Sequence, residues 1–355
     1  MSLFNSKVEQ CFLNESIIKE YSTKVPYIVT DSVPKLGIMT ALRFLEWVSE
    51  NEEGVISLSC DKSFKNFIHY THHFLNTWDE KNTKKFLERY GLADLKKPKL
   101  SGLQFVQMDE FYPISPKQHN SFYNYVNENY IKGFGLDPNR ALFINCDDIK
   151  LYNNKSYNEI FPNSKIDLSL RYRQAENFIE KQQQQSIILI DDWCSQYEEK
   201  IKNKGDIGFL LSSLGSDGRI AFNISGTSLH SNTELRQTNY ATQADAAGSL
   251  GGIEVAKNRL VITIGLETIT RNPNTVAIVC AAGESNAMII KNALESDMTT
   301  QYPSTVLQRL DNSRYYLTQG AACRLNDYID HFYFHTEWNF EKTERANLGL
   351  CKKLN

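Results

Sequence analysis

Apolar positions recur at steps of three and four between residues 37 and 51, where Ala41, Phe44, Leu45 and Val48 describe one face of a helix. A short β-prone run at 55–59 follows, then a polar turn at 60–63 and a second helical stretch at 64–75. The succession repeats. Residues 103–108 read as a strand ending at Asp109 and Glu110, 121–130 as a helix, 141–144 as a strand and 197–203 as a helix. Residues 207–211 form a strand opening into the loop 212–218. The runs 260–264 and 276–281 are almost wholly apolar and β-branched, the pattern of strands covered on both faces in a parallel sheet, and 287–294 is helical again. Strand, loop and helix in alternation predict an α/β fold whose open, largely parallel sheet carries helices on both sides. Residues 1–35 show no clean period. The polar stretch 147–185 reads as an insertion, helical near 175–181 and ending in the mobile low-complexity tract Gln182 to Gln185.

Composition narrows the function classes. With 41% hydrophobic and 23% charged residues among 355, the chain has the make-up of an ordinary globular protein, not a disordered or fibrous one. A formal net charge of -3 offers no attraction to phosphodiester backbones, so no nucleic-acid partner is expected. No apolar run approaches the roughly 18–20 residues that span a bilayer, so no membrane association is expected. The N-terminal MSLFNSKVEQ lacks a basic segment followed by an apolar one, and the seven cysteines are scattered without a CxxC pair. A cytoplasmic protein with reduced thiols, no metal and no cofactor is the expectation.

In open parallel sheets ligands bind beyond the carboxyl ends of the strands, which selects the loops 60–63, 109–111, 215–223 and 283–286. Asp109 and Glu110 follow one strand, and Asp217 lies in the loop after another. Two carboxyl groups meeting at one crevice suit a base and its orienting partner, while each alone is equally a turn or capping residue. His69 and His73 stand four apart on a helix without a third ligand at helical spacing, which suits a plain helix face better than a metal site. The aromatic cluster at 331–335 suits a docked terminal helix or a subunit contact.

The residues from Asp217 to Asn223 read DGRIAFN, which resembles the DGHIAFN signature of the glucosamine-6-phosphate deaminases, also called isomerases. Met108-Asp109-Glu110-Phe111 is similar to their MDEY segment and Ser121-Phe122-Tyr123 to the SYY that follows. Ser228, Leu229, Ser231 and Thr233 match SLxSxT, Thr263, Gly265 and Thr268 match TVGxGTL, and Pro303, Ser304, Leu307 and Gln308 fit a late SxLQ motif. The order is kept from about Gly37 to about Leu325. The 6-phosphogluconolactonases of the same superfamily usually read DER at 109–111 and lack the AFN, so the deaminase branch is favoured. The resemblance implies a three-layer α/β/α fold with a Rossmann-like sheet. It divides the chain into an N-terminal extension (1–36), a deaminase-like domain (37–330) with an insertion at about 147–190, and a tail (331–355). It also implies an amino-sugar phosphate or related sugar phosphate as partner, aldose–ketose isomerisation with ammonia release, and an oligomeric assembly.

Carried over residue by residue, Asp109 is the base for the C2 proton, and Asp217 is the Asp that orients a ring-opening His two positions on. That His is Arg219 here, and the Glu assisting it is Ile224. A guanidinium cannot shuttle protons at neutral pH, so Arg219 becomes an electrostatic clamp, and His230 is the nearest histidine in sequence. The family's GGT-type phosphate loop is Ser59-Cys60-Asp61-Lys62-Ser63 here, with an acid in place of glycine. A family lysine becomes Asn286 and a lid arginine Gly248, while Arg236 stands near another family lysine. The candidate site is therefore Asp109 and Asp217 for catalysis, with Glu110, Lys62, Ser63, Gly215, Arg219, Asn223 and Arg236 for binding. Because the ring-opening pair is lost, the alternative is a degenerate member that binds a sugar phosphate or a partner without turnover. A lactone hydrolase stands third.

Overall fold

Ten strands divide between two sheets in the computed structural model, which describes residues 5–16, 18 and 21–335. In chain order they are β1 (Tyr27–Thr30), β2 (Val55–Leu58), β3 (Gln104–Val106), β4 (Asp109–Tyr112), β5 (Ala141–Leu142), β6 (Phe209–Ser213), β7 (Glu234–Arg236), β8 (Leu260–Thr263), β9 (Val276–Ala281) and β10 (Ser313–Thr318). Seven of them form a sheet in the order β1-β10-β9-β6-β2-β3-β5, and every pairing in it is parallel. Alternate side chains feed two cores. Ile28, Ile56, Phe209, Leu211 and Ile278 pack against the helices Val33–Glu50 and Lys65–Thr77 on one face. Val29, Val55, Leu210, Ala277 and Val279 pack against Phe178–Asn203 and Ala287–Glu295 on the other. Burial on both faces explains why these strands read as continuous apolar runs.

The chain leaves this sheet at Gln107. Its side-chain oxygen accepts the Ile144 N–H at 3.0 Å and its amide donates to the Asp109 carbonyl at 2.9 Å. The next residues start β4, which with β8 and β7 forms a separate antiparallel sheet. Two expectations change here. Asp109 and Glu110 do not lie in a loop after a strand but begin a strand of their own. The run at 260–264 is not in the parallel sheet: β8 is the centre of the small one, and it is apolar throughout because Ile262 faces the main core while Val261 packs with Phe111 and Ile114. Two-sided burial gives the same pattern whichever way the neighbouring strands run.

Two expected limits fall inside helices. The segment expected to be an N-terminal extension supplies β1, paired with β10 from Tyr27↔Tyr315 to Thr30↔Thr318, and the 36/37 boundary falls inside the helix Val33–Glu50. Residues 178–203 form one 26-residue helix running past the expected end of the insertion. Three of its four consecutive glutamines are buried or hydrogen-bonded. Gln182 is buried, Gln183 donates to the Ile160 carbonyl, and Gln184 donates to those of Leu170 and Arg173. Glutamine favours helix, and these amides satisfy carbonyls of an insertion short of regular structure. Residues 336–355, Cys351 among them, lie outside the described residues, as do the side chains of 332–335, so the expected aromatic cluster is seen only as backbone of the helix Asn326–His335. The six described cysteines are free thiols, and among the described residues no helix is long and apolar enough to cross a membrane.

The long helix is fastened to the small sheet by Glu198. Its buried carboxylate accepts the Thr233 N–H (3.0 Å), the Thr233 hydroxyl (2.6 Å) and the Thr268 hydroxyl (2.8 Å), and it pairs with Arg271 at 2.5 Å. Replacing Glu198 by Ala strands the Thr233 and Thr268 donors and leaves Arg271 with Asp206 alone, so chemical denaturation should show a loss of about 3 kcal/mol. A loss below about 1 kcal/mol would show that the contacts are not coupled to folding.

Candidate functional site

A crevice of about 700 Å³ opens at the carboxyl ends of β2 and β6, closed on one side by β4 and on another by the helix Tyr240–Leu250. Its walls are the loop 59–62 after β2, Asp109 and Phe111 of β4, the loop 119–122, residues 212–216 and 219 after β6, and Asp245, Gly248 and Asn286. This is where the switch-point rule places a ligand.

Asp109 is 6% exposed yet borders the crevice. Burial, and then the neighbouring Glu110, push its carboxyl up to about 8, against the pull of the Arg219 guanidinium. Glu110 points elsewhere. It accepts the N–H groups of Phe111 (3.0 Å), Phe122 (3.0 Å) and Tyr123 (2.7 Å), and burial lifts it to about 7 against these donors. It joins β4 to the start of the helix Phe122–Val126 and does not border the crevice, so its expected binding role gives way to a structural one.

Arg219 lies over the Phe222 ring, with its guanidinium held by Asp217 at 2.7 Å and Asp245 at 2.9 Å. Asp217 also accepts from the Asn239 amide at 2.5 Å and is not part of the crevice wall. The two aspartates therefore do not face one another across a hollow. Asp109 faces it, while Asp217 stands behind Arg219 and fixes it. Two carboxylates share the one guanidinium, so Arg219, which borders the crevice, also braces the 240–250 helix to the loop after β6.

Gly215 makes that brace possible. A Cβ there would stand 2.5 Å from Arg219 Cγ and 2.6 Å from its Nη1. Gly215→Ala must displace the guanidinium, and we expect a loss of about 1–3 kcal/mol with faster amide exchange confined to 240–250. Unchanged exchange in that helix would disprove the brace.

The remaining candidates separate. Lys62 borders the crevice. Ser63 does not, and its N–H is taken by the Asp61 carboxylate at 2.8 Å. The other Asp61 oxygen accepts the Ser213 hydroxyl at 2.9 Å, so an acid of the chain itself fills the N-cap of the turn Lys62–Phe64. Asn223 is fully buried and donates to the Ile220 and Ile264 carbonyls, tying the loop to β8. Arg236 pairs with Glu234 and donates to Thr227, away from the crevice, and so cannot help rebuild an anion site there. His230 is exposed, pairs with Glu267 at 3.2 Å and is equally remote.

The imidazole that does border the crevice is His119. Sequence reasoning passed over it because it lies in the loop after β4, outside the quoted motifs. Its place two residues before Ser121, the N-cap of the helix packed on Glu110, was the available signal. Several motif residues do structural work instead. The Thr263 hydroxyl accepts the Phe222 N–H at 3.2 Å, the Ser231 hydroxyl accepts the Leu266 N–H at 3.0 Å, and Thr233 and Thr268 hold Glu198.

No family model matches the chain. It is 33% identical over 132 residues to a glucosamine-6-phosphate deaminase of Mycolicibacterium smegmatis, covering 37% of this chain and 50% of that one. It is also 33% identical over 157 residues to the Shewanella halifaxensis deaminase, covering 44% of this chain and 57% of that one. The chain thus spans about half the length of the curated relatives it matches. A solved monomeric glucosamine-6-phosphate deaminase superposes with a TM-score of 0.61 at 17% identity, covering 84% of this chain and 99% of that one, which bears on the fold alone. Fold and crevice together define a three-layer α/β/α protein with a crevice at the carboxyl edge of a parallel sheet. The chain is similar in sequence to glucosamine-6-phosphate deaminases over about half of their length and shares the fold of a solved one.

Proposed function

We propose that the crevice binds a sugar phosphate and that Asp109 carries out aldose–ketose isomerisation by moving the C2 proton. The observation supporting this most directly is the Asp109 carboxyl, buried and lifted to about 8 at the border of the crevice. As carboxylate it takes the C2 proton of an open-chain sugar, leaving an enediol or enolamine; as acid it returns the proton to C1. Where C2 carries an amine, the resulting ketose imine is hydrolysed and releases ammonia. Ring opening needs a group that removes the O1 proton and protonates the ring oxygen. Imidazole does this near neutrality, so we assign the step to His119 and not to Arg219.

A second reading, binding without turnover, is favoured by one feature. Asp61 already occupies donors that a phosphate would otherwise use. Incubation with glucosamine 6-phosphate or fructose 6-phosphate in deuterated buffer, followed by NMR, decides between them. Deuterium entering the carbon alpha to the carbonyl supports isomerisation, and His119→Gln should slow it at least tenfold. Binding without deuterium uptake supports the second reading. Hydrolysis of a phosphosugar lactone without uptake would move the assignment to the lactonase branch, and no binding of any sugar phosphate would sink all three.

A further inference from the structure

β4 and the loop after it separate two cavities. Asp109, Phe111 and His119 border the crevice, while Tyr112, Pro113 and Gln118 border a second cavity of about 920 Å³, enclosed by residues 146–164 and the start and end of the 253–257 helix. That size suits a small organic ligand and far exceeds what a single ion needs.

Its polar inventory is unbalanced toward cations. Arg259, Lys150 and Lys155 border it, against Asp147 and Glu254, and Glu254 is already paired with Lys257 at 2.9 Å. Half-buried Arg259 donates to the Pro113 carbonyl and has no carboxylate partner among the described residues. Independently, the Tyr157 hydroxyl is buried with no hydrogen-bond partner, close enough to Arg259 to feel its charge. A guanidinium with unused N–H donors and an unsatisfied phenol both call for an acceptor oxygen, best an anionic one. Among serines, asparagines and a glutamine, Tyr112, Ile114, Leu151 and Val255 supply an apolar part of the wall able to pack against a ring.

We infer that this cavity is a second binding site, distinct from the crevice, for an organic phosphate whose anionic group meets Arg259 and Tyr157 and whose ring lies on the apolar part of the wall. A nucleoside monophosphate has that chemistry. The site does not depend on what the crevice does.

Calorimetric titration of the full chain with AMP and inorganic phosphate tests it, a hexose phosphate being avoided because the crevice is proposed to take one, using the wild type, Arg259→Gln, Tyr157→Phe and the crevice variant Lys62→Ala. AMP should bind the wild type, at least tenfold more weakly to Arg259→Gln and several-fold more weakly to Tyr157→Phe, with Lys62→Ala unchanged. Circular dichroism checks folding. If Arg259→Gln fails to fold, the Lys150→Ala/Lys155→Ala pair carries the test, with a several-fold loss expected. Four outcomes overturn the site: AMP does not bind, binding survives Arg259→Gln, binding is lost in Lys62→Ala, or inorganic phosphate binds as tightly as AMP.

Discussion

Asp109→Asn should reduce solvent exchange at the substrate C2 by about a thousandfold or more, because the amide cannot accept the proton. In the wild type, exchange should rise with pH through about 8, as the carboxyl ionises. A second readout needs no substrate. The folded-state pKa lies above the unfolded one, so between about pH 4 and pH 8 the unfolded chain has released a proton that the folded chain still holds. Folding is therefore favoured at the acid end, and stability is lost as pH rises toward 8. The effect is of the order of several kcal/mol, shared with Glu110, which is raised for the same reason. Asparagine has no proton to lose, so melting curves of Asp109→Asn should fall less steeply from pH 5 to 8 than those of the wild type. Parallel slopes would place the titrating group elsewhere, and undiminished exchange would remove Asp109 from the chemistry.

Removing one negative charge at Asp61 is the other large perturbation. Asp61→Gly frees the Ser63 N–H and the Ser213 hydroxyl, and removes a carboxylate from the wall that a phosphate must approach. A unit charge at 4 Å is worth about 4 kcal/mol near a protein surface, and part of that is offset by loss of the cap on the turn Lys62–Phe64. The net expectation is sugar-phosphate affinity tighter by ten- to a hundredfold, with stability lower by about 1 kcal/mol. Calorimetry on the two proteins measures both. Equal affinity would mean that the phosphate group never reaches this turn and that Lys62 meets some other part of the ligand.

Position 61 also illustrates the limit of reading motifs. An acid in a phosphate loop is plain in the sequence as repulsion. That its two oxygens would satisfy Ser63 and Ser213 depends on β2 and β6 being neighbours in the sheet. Position 219 teaches the same. Loss of a titratable group was legible, but the burden on the guanidinium was not, since Asp245 comes from a helix that only folding brings within 2.9 Å. Asn223, Thr233 and Thr268 carry the family pattern for reasons of anchoring, which a list of matching letters cannot distinguish from binding.

The strand Val276–Ala281 coincides with its expected range, because a six-residue apolar, β-branched run between turn residues leaves the backbone few alternatives. The helix at Val33–Glu50 was visible from its apolar face, and its earlier start only once Ser32 is seen to cap it. Local pattern, which depends on neighbours three or four residues away, thus determined the element types, the α/β class and the loops at the strand ends. Contacts between distant parts of the chain decided the rest: β4 and β8 in a sheet of their own, Asp217 behind Arg219, Glu110 as a cap, His119 at the crevice and the cavity beside Arg259. Charge, burial and hydrogen-bond satisfaction depend on which segments meet, and that is a property of the packed molecule, not of adjacency along the chain.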